Sequence, residues 1–234
     1  MKVLIVAESG FGKSTSVAPN KEIGVKGLNP EETFFVDVKG DGLPTRGWKK
    51  MYKEVQGNDL TTGNYFSSND APAITGLINA INSKKPEIKN IVIDDTQYLM
   101  ADYYMAKAKS SGFEKFNNIG YFMGKLFDAV KAFKGNVFCM WHPEVGVDEF
   151  GKKTYKAKTV GKMIDQYLVV EGRFNITLYG KQSWDSKNKK AVKEFVTNFD
   201  GEYPAKSPAG MFNTYIPNDL GYVLEEADKY FEGE

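Results

Sequence analysis

The chain has 234 residues, 41% of them hydrophobic and 26% charged, which is typical of a soluble globular protein. We predict one domain over residues 1–234, ending in a helix and an acidic tail at about 218–234. The formal net charge is +1, which excludes attraction of a polyanion by overall charge, so that nucleic-acid binding would need a local basic patch.

A phosphate-binding loop is predicted at the start of the chain. Residues 2–6 form a short apolar run rich in β-branched residues, which predicts a buried strand. The residues that follow match the sequence G-x-x-x-x-G-K-[ST], except that alanine stands at the first position. Glycines in such a loop turn backbone N–H groups towards phosphate oxygens. The predicted nucleotide-binding residues are Ala7, Glu8, Ser9, Gly10, Phe11, Gly12, Lys13, Ser14 and Thr15.

Two side chains of this loop have predicted chemical roles. Lys13 is expected to neutralise the β- and γ-phosphates, and the hydroxyl group of Ser14 is expected to bind Mg²⁺. We expect a helix that starts near Lys13 to add its positive N-terminal end, although Pro19 must end that helix early. A chance Gly-Lys-Ser turn is the alternative, and the strand in front of the loop argues against it.

The next residues predict a second core strand at 32–38 and a turn-rich segment at 39–48. Residues 57–73 are interpreted as a polar loop. Apolar residues spaced as i, i+3, i+4 and i+7 over 74–81 then predict an amphipathic helix.

A pair of acidic residues follows the apolar residues 90–93, which predict another buried strand. A strand that ends in a carboxylate, downstream of a phosphate loop, is typical of the magnesium side of a P-loop site. We assign Asp94 to Mg²⁺, acting through water, and Asp95 to orienting or deprotonating the attacking water. Two alternatives stay open: these carboxylates cap the next helix, near residue 97, or the base is Asp37 on the second strand.

The only histidine follows the next predicted strand, at 135–140. Apolar stripes before it predict helices that include residues 99–106 and 122–133, with a loop at 107–116 between them. Because His142 comes after a core strand, at the edge that should face a nucleotide, it is a candidate sensor of the γ-phosphate. The alternative is a structural or merely exposed histidine.

A basic segment follows at 148–162, with five lysines and the interleaved aromatic residues Phe150 and Tyr155. Lysines on a loop with aromatic residues suit single-stranded nucleic acid, through phosphate neutralisation and base stacking. The alternative is a solvated hairpin. The predicted DNA-binding residues are Lys107, Lys109, Lys152, Lys153, Tyr155 and Lys156.

The C-terminal part predicts strands at 167–170, 174–179 and 192–199, the last two forming an antiparallel hairpin. Residues 188–191 read Asn-Lys-Lys-Ala, which lacks the final aspartate of the guanine-reading Asn-Lys-x-Asp, so that ATP is favoured over GTP. A final helix is predicted, with Asn218 or Asp219 as its N-cap.

The chain as a whole resembles phage-encoded RecA-like P-loop ATPases, AAA-family nucleotide-binding proteins of which some act in single-strand annealing or recombination. The match is spread over nearly the whole chain. It is carried by residues 12–16, 28–34, 43–44, 47–49, 91–95, 98–100, 115–117, 158–165, 205–212 and 216–220.

This resemblance implies an α/β fold with a RecA-like core, a mostly parallel central sheet flanked by helices. It also implies that loops at 105–118 and 144–160 line a DNA path, and that subunits form a ring or filament with nucleotide between them. A lysine of a neighbouring subunit would then act as a finger in trans, with Lys206 as the first candidate and Lys162 as the second.

We therefore expect a Mg²⁺-dependent ATPase that binds single-stranded DNA and assists phage recombination, annealing or replication, with a single-strand binding protein as a further partner. The alternative is a nucleotide-dependent scaffold with weak ATPase activity that recruits a protein. A small-molecule phosphotransferase is disfavoured, because the only arginines are Arg46 and Arg173.

We expect a cytoplasmic protein, in the infected host cell if a phage encodes it. No apolar run approaches the roughly 20 residues that span a bilayer, so that we expect no membrane contact. The first residues lead directly into a strand, from which we expect no signal peptide. Cys139 is the single cysteine, which fits a reducing compartment and a buried structural role.

Overall fold

The structure is a computed structural model that describes residues 1–57, 59–109 and 112–233. The strands are β1 (Lys2–Val6), β2 (Thr33–Asp37), β3 (Tyr65–Ser67), β4 (Asn90–Asp94), β5 (Asn136–Trp141), β6 (Pro143–Val147), β7 (Lys153–Ala157), β8 (Ile176–Asp185), β9 (Lys190–Val196) and β10 (Tyr215–Pro217). The α-helices are α1 (Trp48–Met51), α2 (Ala71–Lys84), α3 (Tyr98–Ala106), α4 (Glu114–Ala132), α5 (Lys162–Asp165) and α6 (Leu220–Glu232). Within the described ranges, no helix has both the length and the apolar character needed to cross a membrane.

Eight strands form one sheet in the order β10-β9-β8-β1-β5-β4-β2-β3. The six strands from β8 to β3 in this order run parallel, whereas β9 pairs antiparallel with both β8 and β10. The fold is therefore α/β with a mostly parallel central sheet and a C-terminal antiparallel hairpin, as the sequence predicted.

Both faces of the sheet are buried, which explains why its central strands are nearly continuous apolar runs. Successive side chains of a strand point to opposite faces, so that Leu4 and Val6 pack in one core while Val3 and Ile5 pack in the other. The first core also contains the buried faces of α2, α3 and α4, and the second contains that of α6. The predicted apolar stripes of α2 and α4 are buried, as expected.

The strand order brings the chain segments after β1, β4 and β5 to one edge of the sheet. Parallel strands end at the same edge, and β5 lies between β1 and β4. The chain after β1 is tied to the end of β5 by a hydrogen bond from the Ala7 N–H to the Trp141 carbonyl (3.0 Å). The chain after β4 is tied there by a bond from the Thr96 N–H to the Met140 carbonyl (2.9 Å).

The helix predicted to start near Lys13 is wrong, because the structure has only a single 3₁₀ turn, Ser14–Ser16. A proline at position 19 has no N–H and clashes with the carbonyl group four residues earlier, so that a helix cannot continue through it. The Val17 carbonyl instead accepts the Leu28 N–H at 2.7 Å. A helix dipole therefore contributes little at this loop.

Two further elements differ from the prediction. The expected strand at 167–170 is absent from the described residues, because α5 and the turn after it bring this segment beneath α4. The expected polar loop at 57–73 contains the edge strand β3, which pairs with β2. This strand is too short for the alternation of apolar and polar side chains to be recognised in the sequence. Asn58 in that segment lies outside the described residues.

The segment at 144–160, which the resemblance implies as a loop lining a DNA path, is mostly a hairpin. Strands β6 and β7 pair antiparallel and form a separate two-stranded sheet, which only His142 separates from the end of β5. In the other segment expected to line a DNA path, 105–118, Ser110 and Ser111 lie outside the described residues, as does Glu234 in the acidic tail.

The predicted cap of the last helix gives a test of the fold. The Asp219 carboxylate accepts N–H groups of Gly221 (2.8 Å) and Tyr222 (3.4 Å) in α6, and also those of Lys26 (2.6 Å) and Gly27 (2.9 Å). We expect Asp219→Ala to lower the free energy of unfolding by about 2–4 kcal/mol, because the cap is lost and buried N–H groups lose their acceptor.

Urea unfolding of the purified chain measures this change. Asp228→Ala is the matched control, because Asp228 is an exposed residue of the same helix. Equal free energies of unfolding for the two variants would contradict the role given to Asp219.

Candidate functional site

The loop between β1 and the 3₁₀ turn has the backbone shape of an anion-binding nest. Gly10 (φ +79°) and Gly12 (φ +100°) adopt left-handed conformations that favour glycine. The N–H groups of Gly12, Lys13 and Ser14 have no hydrogen-bond partner in the described part of the chain. Unpaired N–H groups of successive residues suit phosphate oxygens.

The lysine of the loop is held inside its curve. Lys13 is 6% exposed, and its Nζ donates to the carbonyl oxygens of Ala7 (2.9 Å) and Glu8 (3.3 Å). Burial lowers the pKa of Lys13, whereas the carboxylates of Asp95 and Asp94 raise it. A buried cation beside unpaired N–H groups is an arrangement that attracts phosphate.

Ser14 and Asp94 meet across the end of β5. The Ser14 hydroxyl donates to Asp94 Oδ2 at 2.5 Å, although β1 and β4 are two strand spacings, about 10 Å, apart. Asp94 is 7% exposed, and its other oxygen, Oδ1, is buried and has no partner within the described residues. Burial raises the pKa of Asp94 to about 6, against the hydrogen bond from Ser14, which lowers it.

These two residues fit a magnesium ion. Hydroxyl and carboxylate oxygens are the hard ligands that Mg²⁺ prefers, and the unpartnered Asp94 Oδ1 is a free acceptor for the ion or for its water. The described residues contain no group of three or more His, Cys, Asp or Glu side chains that could hold a metal by themselves. That donor set suits Mg²⁺, which usually takes one or two protein oxygens and completes its shell with water and phosphate.

Asp95 and His142 form a pair beside this site. His142 Nε2 lies 3.1 Å from Asp95 Oδ1, and Tyr98 packs edge-on against the imidazole ring at 6.1 Å between centroids. Asp95 has a φ of +55°, an uncommon conformation for a residue with a side chain. Burial raises the pKa of Asp95, but the hydrogen bond with His142 and the nearby Lys13 hold it below its usual value.

The alternative roles for the acidic residues do not fit the geometry. The Asp37 carboxylate accepts the N–H groups of Lys39, Gly40 and Gly42 and the hydroxyl of Tyr65, all at 3.1 Å or less, so that it organises the turn after β2. Helix α3 has no side-chain hydrogen bond at its N-cap. Asp37 is therefore not positioned as a base, and Asp94 and Asp95 do not cap α3.

The C-terminal third of the chain braces the loop, which sequence reasoning missed. Lys193 Nζ donates to the Gly10 carbonyl (2.7 Å), and Asn218 Nδ2 donates to the Gly12 carbonyl (3.0 Å). The ring of Phe11 packs on Phe195, with 5.8 Å between centroids. No local pattern could have found these contacts, because the partners are about 180 to 210 residues apart in sequence.

A cavity of about 350 Å³ opens in front of the loop. Its walls include Glu8 and Ser9 of the loop, Gln97 and Tyr98 at the start of α3, and His142. Sequence reasoning assigned no role to Gln97 or Tyr98, although their position just after the Asp94-Asp95 pair was a usable signal. Lys39 was also missed, and its Nζ lies 5.6 Å from the centre of the Tyr98 ring.

The residues predicted to bind DNA are only partly available. The Tyr155 hydroxyl donates to Glu202 (3.0 Å) and its ring packs on Tyr203 at 4.5 Å. Lys156 is paired with Asp165 (2.8 Å) and Glu144 (3.4 Å). Four other predicted lysines are exposed, namely Lys107, Lys109, Lys152 and Lys153.

The two finger candidates are exposed as well. Lys162 is the first residue of α5, and the backbone of Lys206 pairs with Thr177 near the start of β8. Neither side chain is among the walls of the cavity in front of the loop. Within this chain, therefore, both lie outside the group formed by Lys13, Asp94, Asp95 and His142.

Packing beneath the loop gives a second test. A Cβ atom at Gly180 in β8 would lie 2.4 Å from the Ala7 Cβ and 2.8 Å from the Phe11 ring. We expect Gly180→Ala to lower the free energy of unfolding by about 1–3 kcal/mol through this overpacking, as chemical denaturation would measure. Gly120→Ala in α4, where a Cβ meets nothing within 4 Å, should instead stabilise by about 1 kcal/mol. Equal effects of both substitutions would argue against close packing of the loop on β8.

No protein-family model matches the chain, and a search of curated proteins returns no significant match.

Proposed function

We propose that this chain binds ATP with Mg²⁺ at residues 7–15 and hydrolyses it slowly, within a RecA-like P-loop core. The observation that carries the proposal is the contact between Ser14 Oγ and Asp94 Oδ2 (2.5 Å), with the second Asp94 oxygen unpartnered and Lys13 buried beside it. The loop nest supplies N–H donors for phosphate, and the carboxylate supplies the cation side of the site.

The order of strands supports a RecA-like core. The strand that His142 follows lies between the strand before the phosphate loop and the strand that ends in Asp94. A side chain at the end of the middle strand then faces both the phosphates and the carboxylates. This is the position that the resemblance implies for a residue that senses the γ-phosphate.

In this proposal each residue of the site has a separate role. The loop N–H groups and Lys13 hold the β- and γ-phosphates, and Ser14 and Asp94 hold Mg²⁺. An ion held by these two residues would supply positive charge that neutralises the charge developing on the phosphate oxygens. Asp95 accepts a hydrogen bond from the attacking water, and His142 keeps that carboxylate in position. Since phosphoryl transfer needs little covalent help from the protein, positioning and electrostatics supply most of the rate.

ATP rather than GTP is the proposed nucleotide. The segment 188–191, whose sequence departs from the guanine-reading pattern, lies at the β8–β9 turn. Tyr179 of β8 pairs with Val6, the last residue of β1 before the phosphate loop. Asp185, at the end of β8, is six residues further along the strand and therefore about 20 Å from Tyr179. This segment is thus too far from the phosphate loop of its own subunit to read a base there.

Nucleotide binding is tested by removing the loop cation. We expect Lys13→Ala to weaken Mg²⁺–ATP binding by about 10- to 100-fold or more, because charge-assisted hydrogen bonds to phosphate are lost. Isothermal titration calorimetry measures the dissociation constant. Lys21→Ala, an exposed lysine on the loop after the 3₁₀ turn, is the control and should bind as the wild type does. Unchanged affinity in Lys13→Ala would rule out the proposed site.

We also propose that nucleotide hydrolysis is coupled to single-stranded DNA through the β6–β7 hairpin. The hairpin begins directly after His142, so that a shift of this residue reaches it through one peptide bond. Lys152 and Lys153 are exposed at the start of β7, and Lys152 Nζ lies 5.8 Å from the centre of the Phe199 ring. A role in phage recombination and assembly into a ring or filament are part of the same proposal.

DNA coupling is tested by hydrolysis assays with and without single-stranded DNA. We expect DNA to raise the ATPase rate, and the double variant Lys152→Ala/Lys153→Ala to lose most of that increase because phosphate contacts are removed. The control is Lys131→Ala/Lys134→Ala, two exposed lysines at the opposite edge of the sheet. The same stimulation in both double variants would exclude the hairpin as the DNA contact.

The nucleotide-dependent scaffold is a second candidate, and one observation favours it. Asp95 is hydrogen-bonded to His142 and has a lowered pKa, which makes it a weak proton acceptor. Tight ATP binding with no DNA-stimulated hydrolysis would favour this second function over the first.

A further inference from the structure

Gln97 is a buried polar residue that the proposed chemistry does not yet use. It is 6% exposed and directly precedes α3, two residues after Asp95. Its Oε1 accepts the backbone N–H of His142 at 3.3 Å. Its Nε2 is buried and has no hydrogen-bond partner within the described residues.

The direction of this amide follows from its one hydrogen bond. The His142 N–H can only donate, so that the amide group must present its oxygen to it and turn its NH₂ group the other way. A buried donor without an acceptor is unfavourable, and it gains stability from a ligand that supplies one. Gln97 is therefore preorganised as a donor.

The cavity beside Gln97 adjoins the phosphate loop, and its wall contains one acidic and one basic residue, Glu8 and Lys158. Gln97 forms part of the wall of the 350 Å³ cavity in front of the phosphate loop, together with Ser9 and His142. Lys158 lies in the same wall, where its N–H donates to the His142 carbonyl (2.9 Å) and its carbonyl accepts the Trp141 indole N–H (2.6 Å). The cavity is large enough for a phosphate group and several waters, since a water occupies about 30 Å³.

We propose that Gln97 contacts the γ-phosphate of bound ATP, with Nε2 donating a hydrogen bond to a γ-phosphate oxygen. The inference rests on the proposed nucleotide site and adds the residue that distinguishes ATP from ADP. ADP leaves the donor unpaired, whereas ATP satisfies it. Since the other end of the amide is bonded to the first backbone group after β5, Gln97 links the γ-phosphate to the root of the β6–β7 hairpin.

Two substitutions separate this role from a structural one. Gln97→Glu keeps the shape and the oxygen that accepts the His142 N–H, but replaces the NH₂ donor by an oxygen. Gln97→Met keeps the approximate length of the side chain and removes both polar atoms. Gln166→Met, at an exposed glutamine after α5, is the matched control.

The experiment measures the dissociation constants of Mg²⁺–ADP and of a non-hydrolysable ATP analogue by calorimetry, with thermal unfolding as a check of folding. We expect both Gln97 variants to bind ADP within about twofold of the wild type and the ATP analogue about 10- to 100-fold more weakly. The control should bind both nucleotides as the wild type does.

The outcomes distinguish failure of this inference from failure of the proposed function. If the wild type binds neither nucleotide, the proposed site fails and the inference fails with it. If the wild type binds both, while a folded Gln97 variant loses affinity for both equally or for neither, only the role of Gln97 is overturned. The two variants differ in charge and size, so that if one of them does not fold, the other still tests the role of Gln97.

Discussion

The carboxyl end of β5 is the constraint on which the rest of the site depends. Its last two carbonyl groups accept the N–H groups of Ala7 and Thr96, at 3.0 and 2.9 Å, and so hold the chain segments that leave β1 and β4. The Trp141 indole holds a third segment by donating to the Lys158 carbonyl at 2.6 Å. With three segments bound to one strand end, their side chains have little freedom to move apart, which is what preorganised chemistry requires.

Charge balance in this small volume follows from the same arrangement. Two carboxylates, Asp94 and Asp95, lie beside the buried ammonium group of Lys13 and the imidazole of His142. The two carboxylates differ because their surroundings differ. Asp94 is the more deeply buried and has a raised pKa, whereas Asp95 is hydrogen-bonded to His142 and has a lowered one. Divergent pKa values in neighbouring acids are typical of sites in which the two groups have different tasks.

Much of the fold and part of the site could be predicted from local sequence patterns. The apolar runs before Ala7, Asp94 and His142 are strands because both faces of the parallel sheet are buried, so that burial appears directly in the sequence. The prediction of a first helix was wrong, since the motif predicts a helix whereas the proline at 19 permits only a 3₁₀ turn. Strand β3 was not predicted, because three residues at a sheet edge are too few to show the alternation of buried and exposed side chains.

The sequence by itself determined the buried strands β1, β2, β4 and β5, the loop glycines with positive φ and the positions of Lys13, Ser14 and Asp94 at or soon after the ends of two of these strands, because each depends on residues adjacent in the chain. Only the tertiary structure decided which groups meet. The pairing of Asp95 with His142, the bond from Gln97 to the His142 backbone and the support of the loop by Gly180 and Asn218 join distant segments. Such contacts are set by strand order, which side-chain periodicity does not encode.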